Sequence, residues 1–443
     1  MKSITLLFTL LFILQTVNGQ EGFVFKEGYD KERIAFEEHS NLIVLPVKVN
    51  NVEFNFILDT GANKNIIFNL KGIDSLSLKE GKFIQVRGYG DKESIQAYRS
   101  RGNKIEVGDY ISNNNAEILI LSNDEIDMSP KVDIEVHGLL GIDFFKNFVT
   151  HLDYKNSSIK AYSNYSDLPK SVRKEKQFDL TLKNDRPFVQ IALENDLIKG
   201  EYELLIDTGS GDALWILNQV NETFTMQNSF EDYLGFGING KIYGIRTKVN
   251  SINLFDTTLK KVAVSYPYKE YHSVEKTSIS NDGSLGGEIL RRYDVIIDYP
   301  NKKICLKPNR FFNEGFYYNM SGLGVQRGDA QLFTEIGRDF SNDKVGYGNT
   351  TSTKITVRSN VEVTYKYVPK IYVDYVREDS PGDKAGIQVG DQILSINGFN
   401  QKRLNMNRVN DFFYKNPFKK LKMKLKRGSK TYFVELVNVP LVK

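Results

Sequence analysis

Cysteine is almost missing: Cys305 stands alone in 443 residues, so no intramolecular disulfide can form and ordinary cores must hold the fold. Histidine is scarce too. His39, His137, His151 and His272 fall at no metal-ligand spacing, and one cysteine excludes a Cys-rich zinc site, so no metal is expected. Charge of one sign is lacking: 59 basic against 55 acidic residues leave +4, which is no footprint for nucleic acid. "GRDFSNDKVGYGN" has no lysine followed by Ser or Thr, so it is not a phosphate loop. Cys305, in the apolar strand "KKICLKP", has no catalytic surroundings.

No apolar run approaches the roughly 20 residues that a bilayer-spanning helix needs. The run Ile4 to Leu14, with Lys2 before it and the small Gly19 after it, reads as a secretory signal peptide over residues 1–19, cut before Gln20. The expectation is a secreted or periplasmic protein with no stable membrane span once the signal is removed. The lysines at 420, 422, 424 and 426 alternate with Leu421, Met423 and Leu425, which predicts a strand with one wet face rather than a nucleic-acid patch.

What is present is β-pattern. Alternating β-branched and aromatic residues, broken by Gly, Asn and Asp, run from Asn41 to Leu306. Within this stretch one unit is written twice. "FNFILDTGA" ends at Ala62 and "YELLIDTGS" at Ser210; "GLLGIDFFKNFVTHLDYKN" from Gly138 aligns without a gap on "GSLGGEILRRYDVIIDYPN" from Gly283. A Gly-aromatic-Gly hairpin lies between these landmarks in each copy: Gly88, Tyr89, Gly90 and Gly235, Phe236, Gly237. The expected organisation is lobe 1 over residues 20–162, a polar linker over 163–177, lobe 2 over 178–310 and a C-terminal module over 311–443.

Two carboxylates sharing a proton can act as base and acid in amide hydrolysis, because side by side they cannot both ionise. Asp59 and Asp207, each at the end of an apolar strand, suit that role. Gly61 and Gly209 permit the tight turns, and Thr60 and Thr208 can bond across to the opposite turn. Ser210 offers a hydroxyl that Ala62 lacks, so the shared proton is expected on Asp59 and the pH optimum in the mildly acidic range.

These paired Asp-Thr-Gly motifs, each followed by "LLG" or "SLG", resemble the aspartic proteases, and the lobe size resembles a fused retropepsin dimer. The resemblance implies two pseudo-symmetric β-barrel lobes, an Asp59/Asp207 dyad supported by Thr60, Gly61, Ala62, Thr208, Gly209 and Ser210, and flaps at the two Gly-aromatic-Gly hairpins. It implies no cofactor, and peptide or protein substrates. "SPGDKAGIQVGDQILSINGF" (Ser380 to Phe399) resembles the core of a PDZ domain, a β-sandwich or barrel with one or two helices, one of them expected over Asn405 to Lys415. In that resemblance Gly322, Leu323 and Gly324 form the loop that grips peptide C-termini, separated from the rest by an insertion over about residues 326–368. The whole reads as a mainly β, monomeric aspartic endopeptidase. A non-catalytic peptide-binding scaffold is the alternative.

Overall fold

A computed structural model describes residues 22–90, 94–121, 129–194, 199–217, 228–268, 271, 282–344 and 355–442. The expected signal peptide lies outside them. Among the described residues no helix is long and apolar enough to cross a membrane.

Each lobe carries a hairpin whose second strand leads into an aspartate. Leu42–Val49 pairs with Val52–Leu58 across Asn50 and Asn51, both at positive φ, which asparagine tolerates better than most residues. Alternation buries Phe54, Phe56 and Leu58. In lobe 2, Arg186–Glu194 pairs with Lys199–Ile206 in the same way. A short strand then returns beside each: Gly138–Leu140 runs parallel to Val52–Leu58 with Leu140 opposite Leu58, and Gly283–Leu285 runs parallel to Lys199–Ile206 with Leu285 opposite Ile206. The repeat in the sequence is thus a repeat in topology.

The lobes are not separate bodies. One six-stranded sheet takes strands from both, and at its centre Val149–Asp153 pairs antiparallel with Tyr293–Asp298. These are the two copies of the Asp-Tyr-x-Asn stretch. In each, the aspartate caps the turn that follows: Asp153 accepts from Asn156 N at 3.1 Å and Asp298 from Asn301 N at 3.1 Å. The repeated motif therefore builds the lobe junction, and a single apolar core runs through both lobes.

His151 is buried in this shared sheet, and among the described residues neither ring nitrogen has a hydrogen-bond partner. Burial, then Lys160, pushes its pKa down from 6.5 to about 4. The unfolded chain therefore holds a proton that the folded chain cannot hold between those values, so stability falls as pH drops from 6.5 toward about 4. His151→Phe should flatten that part of a melting-temperature profile, by an amount on the order of 1–3 kcal/mol.

The C-terminal module has its own core, including Leu323, Ile371, Ile393, Val409, Phe413 and Leu425. Its sheet takes strands Leu323–Lys344, Ile355–Val376, Gln392–Ile396, Lys420–Arg427 and Lys430–Val437. The insertion is not a loop. It extends the first two of these strands into one long antiparallel ribbon, paired from Leu323↔Val376 to Lys344↔Ile355. The lysine-rich strand buries Leu421, Met423 and Leu425 and turns its lysines outward, as alternation predicts. Asp391 of the Gly-Asp pair is fully buried and takes both arms of Arg427 at 2.7 Å, which holds its carboxyl below the usual range.

Candidate active site

Both Asp-Thr-Gly turns are positioned by the returning strands. Asp59 N donates to Leu140 O at 2.9 Å and Asp207 N to Leu285 O at 3.0 Å. The signature glycines follow because backbone crosses there: a Cβ on Gly141 would meet Lys64 O at 2.6 Å, and one on Gly286 would meet Asp212 O at 2.3 Å. The polar Ser284 does no harm to this packing, since Leu285 fills the core and Ser284 lines the cleft.

Between the turns the threonines bond reciprocally. Thr60 N donates to Thr208 Oγ1 at 3.0 Å and Thr208 N to Thr60 Oγ1 at 3.0 Å. Each hydroxyl in turn donates to a carbonyl of the other lobe, Thr60 to Ile206 O at 2.6 Å and Thr208 to Leu58 O at 2.7 Å. Both threonines are buried. The carboxyls converge: a Cβ on Gly61 would lie 3.1 Å from an Oδ1 of each aspartate, and one on Gly209 would lie 2.3 Å from Asp59 Cγ.

Burial raises the pKa of Asp59, and burial together with the Asp59 charge pushes Asp207 up to about 7. Both side chains are half-buried by surface area, but they lie deep in the cleft beneath the hairpins, and that depth governs desolvation. The turn amides favour the charge on Asp59 and the proton on Asp207, the opposite direction to the Ser210 argument. Ser210 gives no hydroxyl bond to Asp207, whereas Asp59 Oδ1 accepts from Gly61 N at 2.8 Å and Ala62 N at 3.1 Å. Asp207 has the 3.0 Å bond from Gly209 N, with the Ser210 amide a weaker aid. Backbone amides, invisible to side-chain reasoning, decide the asymmetry.

The two hairpins meet over this pair. Asn239 N donates to Tyr89 O at 2.8 Å, and Gly237 packs on the same carbonyl so closely that a Cβ would lie 2.1 Å from it. Gly90 at φ +140° abuts Asn239, and Gly88 faces Ile238. Tyr89 turns its ring edge-on to Trp215 at 6.2 Å, while Phe236 packs edge-on to Tyr233 at 5.9 Å. Beneath them is a cleft of about 1080 Å³ containing Asp59 and Asp207.

The cleft walls differ between lobes. Lobe 1 supplies Ile57, Ile66 and Leu139; the equivalent lobe 2 positions are Leu205, Trp215 and Ser284. Asp212 accepts from Trp215 Nε1 at 2.7 Å, Arg246 at 3.0 Å and Ser265 at 3.0 Å. Arg246 also holds Asp232 at 3.0 Å. Arg186 lines the cleft within electrostatic reach of both Asp59 and Asp207, and among the described residues its Nε is buried without a hydrogen-bond partner. Its charge lowers both carboxyl pKa values, so Arg186→Gln should raise them and move the alkaline limb of a pH–rate profile to higher pH. Sequence reasoning missed Arg186, Asp212 and Arg246, and nothing local in the sequence marks them.

At the candidate carboxylate loop the amides already have acceptors within the module. Gly322 N donates to Asn319 Oδ1 at 3.0 Å and Leu323 N to Ser321 Oγ at 3.2 Å. Gly322 has φ +75°, Leu323 is core, and Gly324 pairs with Tyr375. Cys305 is buried, and burial pushes its thiol up to about 11, far from a nucleophile's range.

Residues 45–144 match the family model for aspartyl proteases, and residues 372–425 match that for PDZ domains. The first match lies within lobe 1 and the second within the C-terminal module. No curated protein matches it. Among solved structures it is similar to an aspartic proteinase from Irpex lacteus, at 12% identity and a TM-score of 0.43, over 64% of this chain and 99% of that one. The protease match falls on the lobe that carries Asp59, and the internal repeat extends the same topology to Asp207.

Proposed function

We propose that this protein is an aspartic endopeptidase in which Asp59 and Asp207 share one proton and hydrolyse peptide bonds. The observation that carries the reading is the reciprocal threonine lock, which sets two carboxyls side by side at the floor of a covered cleft. Ionised Asp59 takes a proton from water as the oxygen attacks the scissile carbonyl carbon, and protonated Asp207 gives its proton to the carbonyl oxygen. Collapse of the resulting diol breaks the C–N bond, with the proton held by Asp59 passing to the leaving amine. One hydroxyl proton of the diol then returns to Asp207 as the carboxylic acid product forms. The hairpins exclude bulk water from this exchange.

The N-terminal pattern supports export to a periplasmic or extracellular site, and the PDZ domain supports a role in positioning protein substrates. The purified protein should cut members of a peptide library between about pH 3 and 8 and be blocked by pepstatin. Peptide binding without cleavage across that range would favour a scaffold and overturn the proposal.

A further inference from the structure

The Met406–Tyr414 helix is two-faced at helical spacing. Met406, Val409 and Phe413 are buried in the PDZ core, while Asn407, Asn410, Asp411 and Tyr414 form the opposite stripe. That polar stripe is turned toward the protease lobes. All four of its residues line the cleft that contains Asp59 and Asp207.

The helix is fixed in that place from both lobes. Its first amides are capped from outside the domain: Met406 N and Asn407 N donate to Asp133 Oδ1 and Oδ2 of lobe 1 at 2.6 and 3.2 Å. Arg327 of the PDZ sheet donates to Ser129 O, Asp133 O and Ile134 O, and Lys131 pairs with Asp374. On the other side Arg377 reaches Asp232 of the lobe 2 hairpin at 3.7 Å and lies over the Phe230 ring. The contact chain to the dyad is short. Asn410 Nδ2 donates to Ser40 Oγ at 3.3 Å, the neighbouring Asn41 donates to Gly211 O at 2.9 Å, and Gly211 lies four residues beyond Asp207.

We propose that this helix is a wall of the substrate cleft, and that Asn410 and Tyr414 bind an extended polypeptide substrate beyond the reach of the two lobes. The chemistry suits a polypeptide backbone rather than one particular side chain. Asn410 carries a carboxamide able to donate and accept. Tyr414, 39% exposed, offers an aromatic face, and Asp411 is already paired with Lys415 at 2.8 Å. The PDZ domain on this view positions substrate by shaping the cleft. It does so while the Gly322 and Leu323 amides keep internal acceptors.

The inference rests on the endopeptidase reading, and its test separates the two. Cleavage of unfolded, fluorescein-labelled casein is compared with that of a peptide of about six residues taken from one of its cut sites, which spans about 20 Å when extended. In Tyr414→Ala and Asn410→Ala proteins, the ratio of kcat/KM for casein to that for the short peptide should fall about tenfold, mainly through KM. Their melting temperature should match the parent, since neither side chain is core. An unchanged ratio, or an equal loss on both substrates, would overturn the proposal. If the parent cuts nothing, casein binding to the Asp207→Asn protein, read by anisotropy with and without Tyr414→Ala, still decides it: about tenfold weaker binding supports the wall, and equal binding refutes it.

Discussion

Asp207→Asn should abolish peptide cleavage, lowering kcat by at least about a thousandfold, while leaving substrate binding nearly intact. The amide cannot deliver the proton that the carbonyl oxygen needs, so an ionised Asp59 is left as a base with no acid partner. Asp59→Asn should fail equally, because it removes the base. The stability of the Asp207 variant distinguishes chemistry from misfolding, and the sign follows from the raised pKa. The folded protein holds a proton on Asp207 up to about pH 7 that the unfolded chain releases near 4, so the parent loses stability as pH rises through that window. Asparagine carries no charge to desolvate beside Asp59, so the variant should melt no lower than the parent at pH 7 to 8. An Asp207→Asn protein that melts far below the parent there would mean that the carboxyl is structural.

The second large effect is expected at the threonine lock. Thr60→Val keeps the shape but removes the hydroxyl that donates to Ile206 O and accepts from Thr208 N. Two buried backbone groups from the opposite lobe lose their partners, at about 1–3 kcal/mol each, so the loss should total about 2–6 kcal/mol in chemical denaturation. Activity should fall as well, because the lock sets the spacing of the two carboxyls. Thr60→Ser, which retains the hydroxyl, should recover most of both. A Thr60→Val protein as stable and active as the parent would show that lobe packing alone aligns the dyad.

Much of this architecture is legible along the chain because it rests on local rules. Alternating residues such as Phe54, Phe56 and Leu58 can only be strands with one buried face. Asp59 and Asp207 follow from strand ends and glycine turns, and the duplicated Asp-Tyr-x-Asn comes from two like turns in a shared sheet. The helix from Met406 to Tyr414 is readable from its Asn405 cap and its apolar spacing.

Other features depend on which strangers in sequence become neighbours in space. The sequence places a hydroxyl beside Asp207, yet the folded turns give the better amide contacts to Asp59, which favours the charge there. Arg186 is an ordinary strand residue until lobe closure leaves it facing the dyad. Long strands flanking the Gly322 loop read as an insertion but pair into one ribbon. The amino-acid sequence by itself determined the duplicated β lobes, the two aspartates and the PDZ pattern, since periodicity and turn chemistry act over a few residues. Only the tertiary structure decided how many turn amides reach each aspartate, that the hairpin tips meet, and that the Met406–Tyr414 helix lines the cleft containing both aspartates. Those depend on the geometry of the folded turns and on contacts between residues hundreds of positions apart, such as Asp133 with Met406, which no local pattern encodes.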